Sequence, residues 1–280
     1  MNPFQIDLYA AWATGVLLMS LRVGPTLLAT PLFSEASIPL TVRVAVVIGL
    51  STALLACIGP DASGRAPALW LATTRALSAH PGLFMQSACT ELALGATLAL
   101  AVQAAFSAFA MAGRLLDVQI GFGLAEVFDP ASNASLPVLA TAFNQVAVLV
   151  FFLANGHHAL LRGLAFSLQQ VPLGRPWAMQ ATMLPVLRQF TGLFAASFSL
   201  VAPVVFCLLV TEFALGVISR NLPQMNMISM GVPVKIVVGL IALALWFASI
   251  GPVMDGIYKS IYTTWSAMLS APSDANGAAY

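Results

Sequence analysis

Between Gly113 and Asn133 the chain reads GRLLDVQIGFGLAEVFDPASN. This stretch holds one cation, three acids, a proline and a Gly-Phe-Gly triplet, in the middle of an otherwise apolar chain. On insertion scales each charge at the centre of a bilayer costs about 2.5–3.5 kcal/mol, and irregular backbone is tolerated there only inside protein or beside a watery cavity. The stretch therefore predicts a segment that lines or blocks a path rather than a helix that faces lipid.

The composition of the whole chain predicts an integral membrane protein. Hydrophobic residues make up 60% of the 280 residues and charged residues 8%, whereas soluble domains carry about 25% charged residues. The formal net charge of +1 argues against a nucleic-acid partner, which would require a basic face. The first apolar run has no basic segment before it, so we expect no cleaved signal peptide.

Six apolar runs are long enough to cross a membrane as helices, and they predict an all-α membrane protein. The C-terminal residues 270–280 are small and polar, which is typical of a flexible tail. We expect a single domain over residues 1–280. The six runs are Leu8–Phe33, Ile38–Ile58, Leu83–Ala112, Leu136–Ala154, Phe190–Ser219 and Met227–Val253.

Five charges interrupt these runs: Arg22, Arg43, Glu91, Glu212 and Lys235. At about 3 kcal/mol each they would cost on the order of 15 kcal/mol if all of them faced lipid, which exceeds a typical net folding stability. We therefore expect them to be paired, to reach the membrane surface along their aliphatic stems, or to be buried in an assembly.

The polar residues of the central segment allow more than one interpretation. Asp117, Glu126 and Asp129 could form a proton relay, or they could cap helices. Asp129 followed by Pro130 has the pattern of a helix start, with Asp129 as the N-cap. Gly121 and Gly123 flank Phe122, so the backbone there could bend and project bulky side chains, or it could be a helix packed through its glycines.

No catalytic, cofactor or metal motif occurs in the sequence. HExxH, GxSxG, GxGxxG and P-loop patterns are absent, and the adjacent His157 and His158 do not share a helix face as paired ligands would. Cys57, Cys89 and Cys207 are far apart and read as small buried hydrophobes. We expect no enzymatic activity, no cofactor and no metal.

Two blocks of the sequence resemble the FliR family of flagellar export-gate proteins and their injectisome relatives, the SctT proteins. The first block is FDPASNASLPVLATAFNQVAVLVFFLANGHHALLRGLAFSLQQVPLG (Phe128–Gly174), and the second is SRNLPQMNMISMGVPVKIVVGL (Ser219–Leu240). The spacing of Arg22, Pro25 and Arg43 with further prolines is also similar. The block around Lys235 and the Asn155–His158 run favour the flagellar branch.

The resemblance implies a fold of broken helical hairpins: a FliP-like part over about residues 1–189, followed by a FliQ-like hairpin over about residues 190–253. It implies one copy of the chain with five FliP-like and four FliQ-like chains (5:4:1), together with a FlhB-like switch protein. The gate would lie in the flagellar basal body in the bacterial inner membrane and pass unfolded export substrates. Arg22, Glu91 and Glu212 would then face neighbouring subunits.

The resemblance also implies that the glycine-containing loop plugs the closed pore. The residues expected to form this plug are Ile120, Gly121, Phe122, Gly123 and Leu124. The residues expected to shape turns and interfaces are Arg22, Pro25, Arg43, Glu91, Asp117, Asp129, Pro130, Asn144, Glu212, Pro223, Gln224 and Asn226.

Two other functions remain open from the sequence. An SctT-type injectisome subunit would share this plan. A proton-coupled secondary transporter would use Asp117, Glu126, Glu91 and Glu212 at a site near the middle of the membrane.

Overall fold

The structure is a computed structural model that describes residues 3–31, 33, 38–57, 74, 76–77, 80–122, 137–175, 177, 179–221 and 227–270. Its elements in this part of the chain are helices, as the apolar runs predict. They are α1 (Pro3–Leu28), α2 (Leu40–Cys57), α3 (Pro81–Ile120), α4 (Val138–Leu153), α5 (Gly156–Gln170), α6 (Met179–Asn221), α7 (Met227–Phe247) and α8 (Gly251–Leu269).

Four of the described helices are long and apolar enough to cross a membrane, and a fifth span is possible if the bent pair α4–α5 counts as one. The four apolar windows are Tyr9–Leu28, Pro81–Ile120, Thr182–Asn221 and Met230–Phe247. The prediction of an all-α membrane protein is therefore confirmed. Helix α5 and all but the first three residues of α8 lie outside the six apolar runs, because polar residues alternate with apolar ones along them.

Two helices are much longer than the membrane is thick. Helix α3 has 40 residues and α6 has 43, so each is about 60 Å long at a rise of about 1.5 Å per residue. The hydrocarbon core is about 30 Å thick. A large part of each helix must therefore lie outside the hydrocarbon or be strongly tilted.

Local chemistry explains where several helices begin or end. Pro81 is the first residue of α3, and at that position the N–H that proline lacks would have no partner within the helix. Gly121 closes α3 with a φ of 104°, in a region that favours glycine. Asn155 separates α4 from α5 in a left-handed conformation, with a φ of 55°, which asparagine tolerates better than most residues.

The contacts divide the chain into two compact units. The first comprises Met1–Ala104, Asn155–Gln189 and Ile261–Tyr280, and the second comprises Ala105–Ala154 and Phe190–Ser260. In the first unit, Gly163 of α5 lies against the Trp265 ring so closely that an added Cβ would be 2.5 Å from two ring carbons. In the second unit, Phe109 and Tyr258 stack with ring centroids 5.5 Å apart.

Candidate functional site

A buried ion pair stands at the centre of the first unit. Arg22 of α1 and Glu91 of α3 meet with 2.7 Å between Nε and Oε2, and their side chains are 0% and 2% exposed. Two charges removed from water cost several kcal/mol each unless they are paired and their remaining hydrogen-bonding groups are satisfied. The surroundings of the pair supply these partners.

Three further hydrogen bonds complete this cluster. Arg22 donates from Nη1 to the Ser167 hydroxyl (3.3 Å) and from Nη2 to the Val171 carbonyl (2.9 Å). The Gly174 backbone N–H donates to Glu91 Oε1 (3.2 Å), at a glycine whose φ is 77°. The ion pair therefore ties α1 and α3 to the end of α5 and to the turn that follows it.

The backbones of α1 and α3 are in close contact beside this pair. A Cβ added to Gly95 would lie 2.6 Å from the Arg22 carbonyl oxygen. The Thr26 hydroxyl donates to the Arg22 carbonyl at 2.9 Å. Glycine at position 95 therefore allows the approach that brings Glu91 to Arg22.

The expectation that Arg22 and Glu91 face neighbouring subunits is wrong. Both side chains are buried within this chain and satisfy each other. Their sequence separation of 69 residues hides the pairing from any local pattern. The two buried charges do have the partners that their burial requires, but these partners belong to the same chain.

The second pair of charges also meets within the chain. Glu212 of α6 accepts a hydrogen bond from the Lys235 ammonium of α7, and their side chains are 44% and 21% exposed. The expectation that Glu212 faces a neighbouring subunit stays a prediction, because 44% of its side chain is exposed in this chain. Arg43 donates from Nε to the Ile38 carbonyl at 3.1 Å, so all five charges in the apolar runs have partners in the chain.

Asp117 is a remote helix cap. Its two carboxylate oxygens accept hydrogen bonds from the backbone N–H groups of Leu139 (2.9 Å) and Ala140 (3.0 Å). These N–H groups belong to the first turn of α4, whose N-cap residue is Pro137 and makes no side-chain cap bond. Asp117 is 5% exposed and takes the place of the missing cap.

The start of the expected plug lies at the end of α3. Ile120 is 0% exposed, and a Cβ added to Gly239 of α7 would lie 2.7 Å from its Cγ1. Gly121 and Phe122 form the turn that follows and are half-buried. Two other expected site residues lie within helices: Pro25 in α1, and Asn144, half-buried, in α4. The residues Gly123, Leu124, Glu126, Asp129, Pro130, Pro223, Gln224 and Asn226 lie outside the described residues.

Sequence reasoning missed a row of hydrogen-bond donors on α8. Tyr258 donates to the Ala147 carbonyl (2.6 Å) in the second unit. In the first unit, Tyr262 donates to the Gly156 carbonyl (3.0 Å) and Trp265 to the Leu98 carbonyl (3.1 Å). Burial raises the pKa of Tyr262 to about 12, so its hydroxyl keeps the proton that it donates. The spacing 258, 262, 265 follows one helix face and is the signal that could have revealed this row.

The described residues contain no group of three or more His, Cys, Asp or Glu side chains placed to hold a metal ion. His157 and His158 lie side by side, with ring centroids 4.2 Å apart. The chemical groups of the described part of the chain therefore serve mainly to pair charges and to cap or anchor backbone.

These helices and their internally paired charges define an all-α, membrane-embedded protein with tightly packed helix crossings. Residues 13–261 match the family model described as "Bacterial export proteins, family 1". The chain belongs to this family.

Curated relatives agree with the family match. The flagellar biosynthetic protein FliR of Bacillus subtilis is 27% identical over 95% of this chain and 96% of its own length. FliR of Escherichia coli is 27% identical over 89% of this chain and 90% of its own. The surface presentation of antigens protein SpaR of Shigella sonnei is 30% identical, over 52% of this chain and 56% of its own.

Proposed function

We propose that this chain is the FliR-type subunit of a flagellar protein-export gate in the bacterial inner membrane. The observation that carries the proposal is the similarity to flagellar biosynthetic proteins over almost the full length of both chains. The role is structural rather than enzymatic: the chain builds part of a pore through which unfolded flagellar proteins pass.

The gate would contain five FliP-like and four FliQ-like chains for each copy of this one, and would work with a FlhB-like switch protein. The FliP-like part would extend to about residue 189 and the FliQ-like hairpin would cover about residues 190–253. One of the boundaries between the two compact units falls between Gln189 and Phe190, although the second unit also includes Ala105–Ala154 of the FliP-like part. Helix α6 itself is continuous across that point, from Met179 to Asn221.

Within this gate, the segment Ile120–Leu124 would seal the closed pore. Gly121 supports this role because its positive φ ends α3 and turns the chain out of the helix. Ile120 would anchor the seal, since it is already buried against Gly239 in this chain. Phe122, Gly123 and Leu124 would enter the lumen.

Two experiments test the proposal. Affinity purification of the tagged full chain from its own cells should recover FliP- and FliQ-like proteins, with a native mass that corresponds to 5:4:1. Deletion of Gly121–Ala125 should let small ions through a complex that still assembles. A homogeneous monomer or a symmetric homo-oligomer that recovers no such partners would overturn the proposal.

An injectisome gate is the second candidate. The Salmonella secretion system apparatus protein SsaT is 26% identical, but over 56% of this chain and 61% of its own length. Non-motile cells that retain effector secretion after disruption of this gene would support the flagellar role, and the reverse phenotype would support the injectisome. A proton-coupled transporter gains no support from the described acids, because Glu91, Glu212 and Asp117 are already engaged.

A further inference from the structure

Within the second unit, α6 and α7 pack side by side in opposite directions. The Trp246 indole N–H of α7 donates to the Leu200 carbonyl of α6 at 2.8 Å. A row of residue pairs continues from this bond along both helices, and the number falls on α7 by nearly the same steps as it rises on α6. The pairs are Leu200 with Trp246, Leu208 with Gly239, Glu212 with Lys235, and Leu215 with Gly231.

Lys235 lies between two glycines on the side of α7 that contacts α6. Gly231 and Gly239 are each four residues away from it and are buried, so all three share one face of the helix. A Cβ added to Gly231 would lie 3.8 Å from the Leu215 side chain, and one added to Gly239 would lie 3.3 Å from the Leu208 side chain. Lys235 is the only charged residue of α7, so this contact face carries one charge among small apolar residues.

Apolar packing alone specifies the register of α7 only weakly. The side of α7 that this chain leaves exposed is apolar as well, and includes Val237, Ile241 and Leu245. Lipid tails are as apolar as these side chains, so burial gives little preference for one position over another. A slip of one turn, which is four residues or about 6 Å along the axis, would bury a similar apolar surface.

The ion pair does distinguish these positions. A slip of one turn in one direction would place Lys235 opposite Leu208, and a slip in the other direction would place it opposite Gly216. In both cases Glu212 would face a glycine of α7. Each slipped register therefore leaves two unpaired charges beside apolar side chains, which is unfavourable at membrane depth.

We propose that the Glu212–Lys235 ion pair is a positioning device that fixes the register of α7 against α6. It acts mainly by making the slipped registers unfavourable, since a half-exposed pair adds little to stability in the correct one. Control of register is the best-attested role of polar groups between packed helices. The register sets the height along α6 at which α7 presents its exposed apolar side. This inference does not depend on the proposed function.

The test measures disulfide formation in the full chain, in cell membranes, after the natural cysteines have been replaced by alanine. Gly231→Cys is combined with Leu215→Cys to report the register of the structure. It is combined with Thr211→Cys or with Ser219→Cys, each one turn away on α6, to report the slipped registers. Trypsin cleavage after Arg220 leaves the two cysteine peptides joined only by the disulfide, so mass spectrometry measures each cross-link.

With both charges present, the cross-link between positions 231 and 215 should dominate. The double change Glu212→Leu, Lys235→Leu should raise the two slipped cross-links severalfold, because a slip then leaves no charge unpaired. The exchanged pair Glu212→Lys, Lys235→Glu should restore the original pattern. The matched control Asp255→Ala, Lys259→Ala removes an exposed pair within α8 and should leave all three cross-links unchanged.

Several results would overturn the proposal. An unchanged pattern in Glu212→Leu, Lys235→Leu would mean that the glycines and the Trp246 bond set the register without the charges. Slipped cross-links or loss of folded protein in the exchanged pair would show that side-chain shape decides, and absence of the 231 to 215 cross-link in the original charges would refute the register itself.

If the leucine variant yields no folded chain, Glu212→Gln, Lys235→Met is judged by the same criteria, since it removes both charges at nearly the same side-chain size. Failure of both variants to fold would also overturn the proposal, because the pair would then be required for folding rather than for the choice of register.

Discussion

At the scale of single residues, the cost of burying charge decides the chemistry of the first unit. Arg22 and Glu91 are both almost fully buried, and either charge alone would be buried without a counter-charge. A buried pair is not in itself strongly stabilising, since its attraction mainly offsets desolvation. Removing one partner is different, because the remaining charge stays buried and unsatisfied.

We expect Glu91→Ala to destabilise the first unit by about 3–5 kcal/mol, the range measured for broken buried pairs. The double variant Arg22→Met, Glu91→Leu should be less destabilised than Glu91→Ala, since no unpaired charge remains. Chemical unfolding of the purified chain, followed by tryptophan fluorescence, measures both. Asp255→Ala, which breaks an exposed pair, is the control and should change stability by less than about 1 kcal/mol. A double variant that is less stable than Glu91→Ala would show that losing the hydrogen bonds of Arg22 costs more stability than leaving its charge unpaired.

Breaking the half-exposed ion pair between Glu212 and Lys235 should be less destabilising than breaking the buried pair. We expect Glu212→Leu to leave Lys235 without its partner between two apolar helices, and the double variant Glu212→Leu, Lys235→Leu to recover most of the lost complex yield. Yield of the co-purified complex is the measurement. Equal yields for the original protein and both variants would mean that the pair is dispensable for assembly.

At the scale of elements, small residues set the distances between helices. Gly95 allows α1 to meet α3, Gly113 allows α3 to meet α4, and Gly163 accommodates the Trp265 ring. Helix association inside membranes depends on such close packing, because lipid tails are as apolar as the side chains they replace. Glycine here is a packing requirement rather than a sign of a turn.

Gly163→Ala should destabilise the first unit, because the new methyl group would lie 2.5 Å from two carbons of the Trp265 ring. The ring also donates to the Leu98 carbonyl, so it cannot move without losing that bond. The second-site change Trp265→Leu should reduce the penalty of the first, and thermal unfolding in detergent would show this coupling. Gly192→Ala is the matched control, since nothing lies within 4 Å of its added Cβ. Additive effects of the two changes would contradict the proposed clash.

At the scale of the whole molecule, the helices differ greatly in how much of their surface this chain covers. An apolar 18-residue window within Pro81–Ile120 is 61% buried in the chain, compared with 33% for such a window within Thr182–Asn221 and 11% for Met230–Phe247. The exposed side chains of α6 include Phe194, Phe206 and Phe213, at 62%, 68% and 75%. This apolar surface must be covered by lipid, detergent or other subunits.

Cys207 reports which of these covers α6, because it is exposed and free in this structure. If neighbouring subunits cover α6 in the gate, labelling of Cys207 by a membrane-permeant maleimide should be much slower in the assembled complex than in the isolated chain. Both samples are kept in the same detergent, and mass spectrometry assigns the label to each cysteine. The chain unfolded in SDS gives the unprotected rate. Equal labelling rates in the two folded samples would leave α6 covered by detergent or lipid alone.

The sequence by itself determined the membrane class and the apolar helices, but not α5 or most of α8, which lie outside the apolar runs. Apolar runs of sufficient length specify helices because hydrocarbon leaves backbone groups no other partners. The positive φ of Gly121 shows that α3 ends there, whereas Gly123 lies outside the described residues. The resemblance of two sequence blocks to the FliR family agrees with the family match over residues 13–261.

Only the tertiary structure decided which groups meet. Arg22 and Glu91 were recognised as charges that needed partners, but their pairing spans 69 residues and depends on the contact that Gly95 permits. Asp117 had the two local interpretations of relay or cap, and the helix that it caps begins 21 residues later. Such pairings follow from how helices pack against one another, and helix packing is fixed by surfaces that are distant in the sequence.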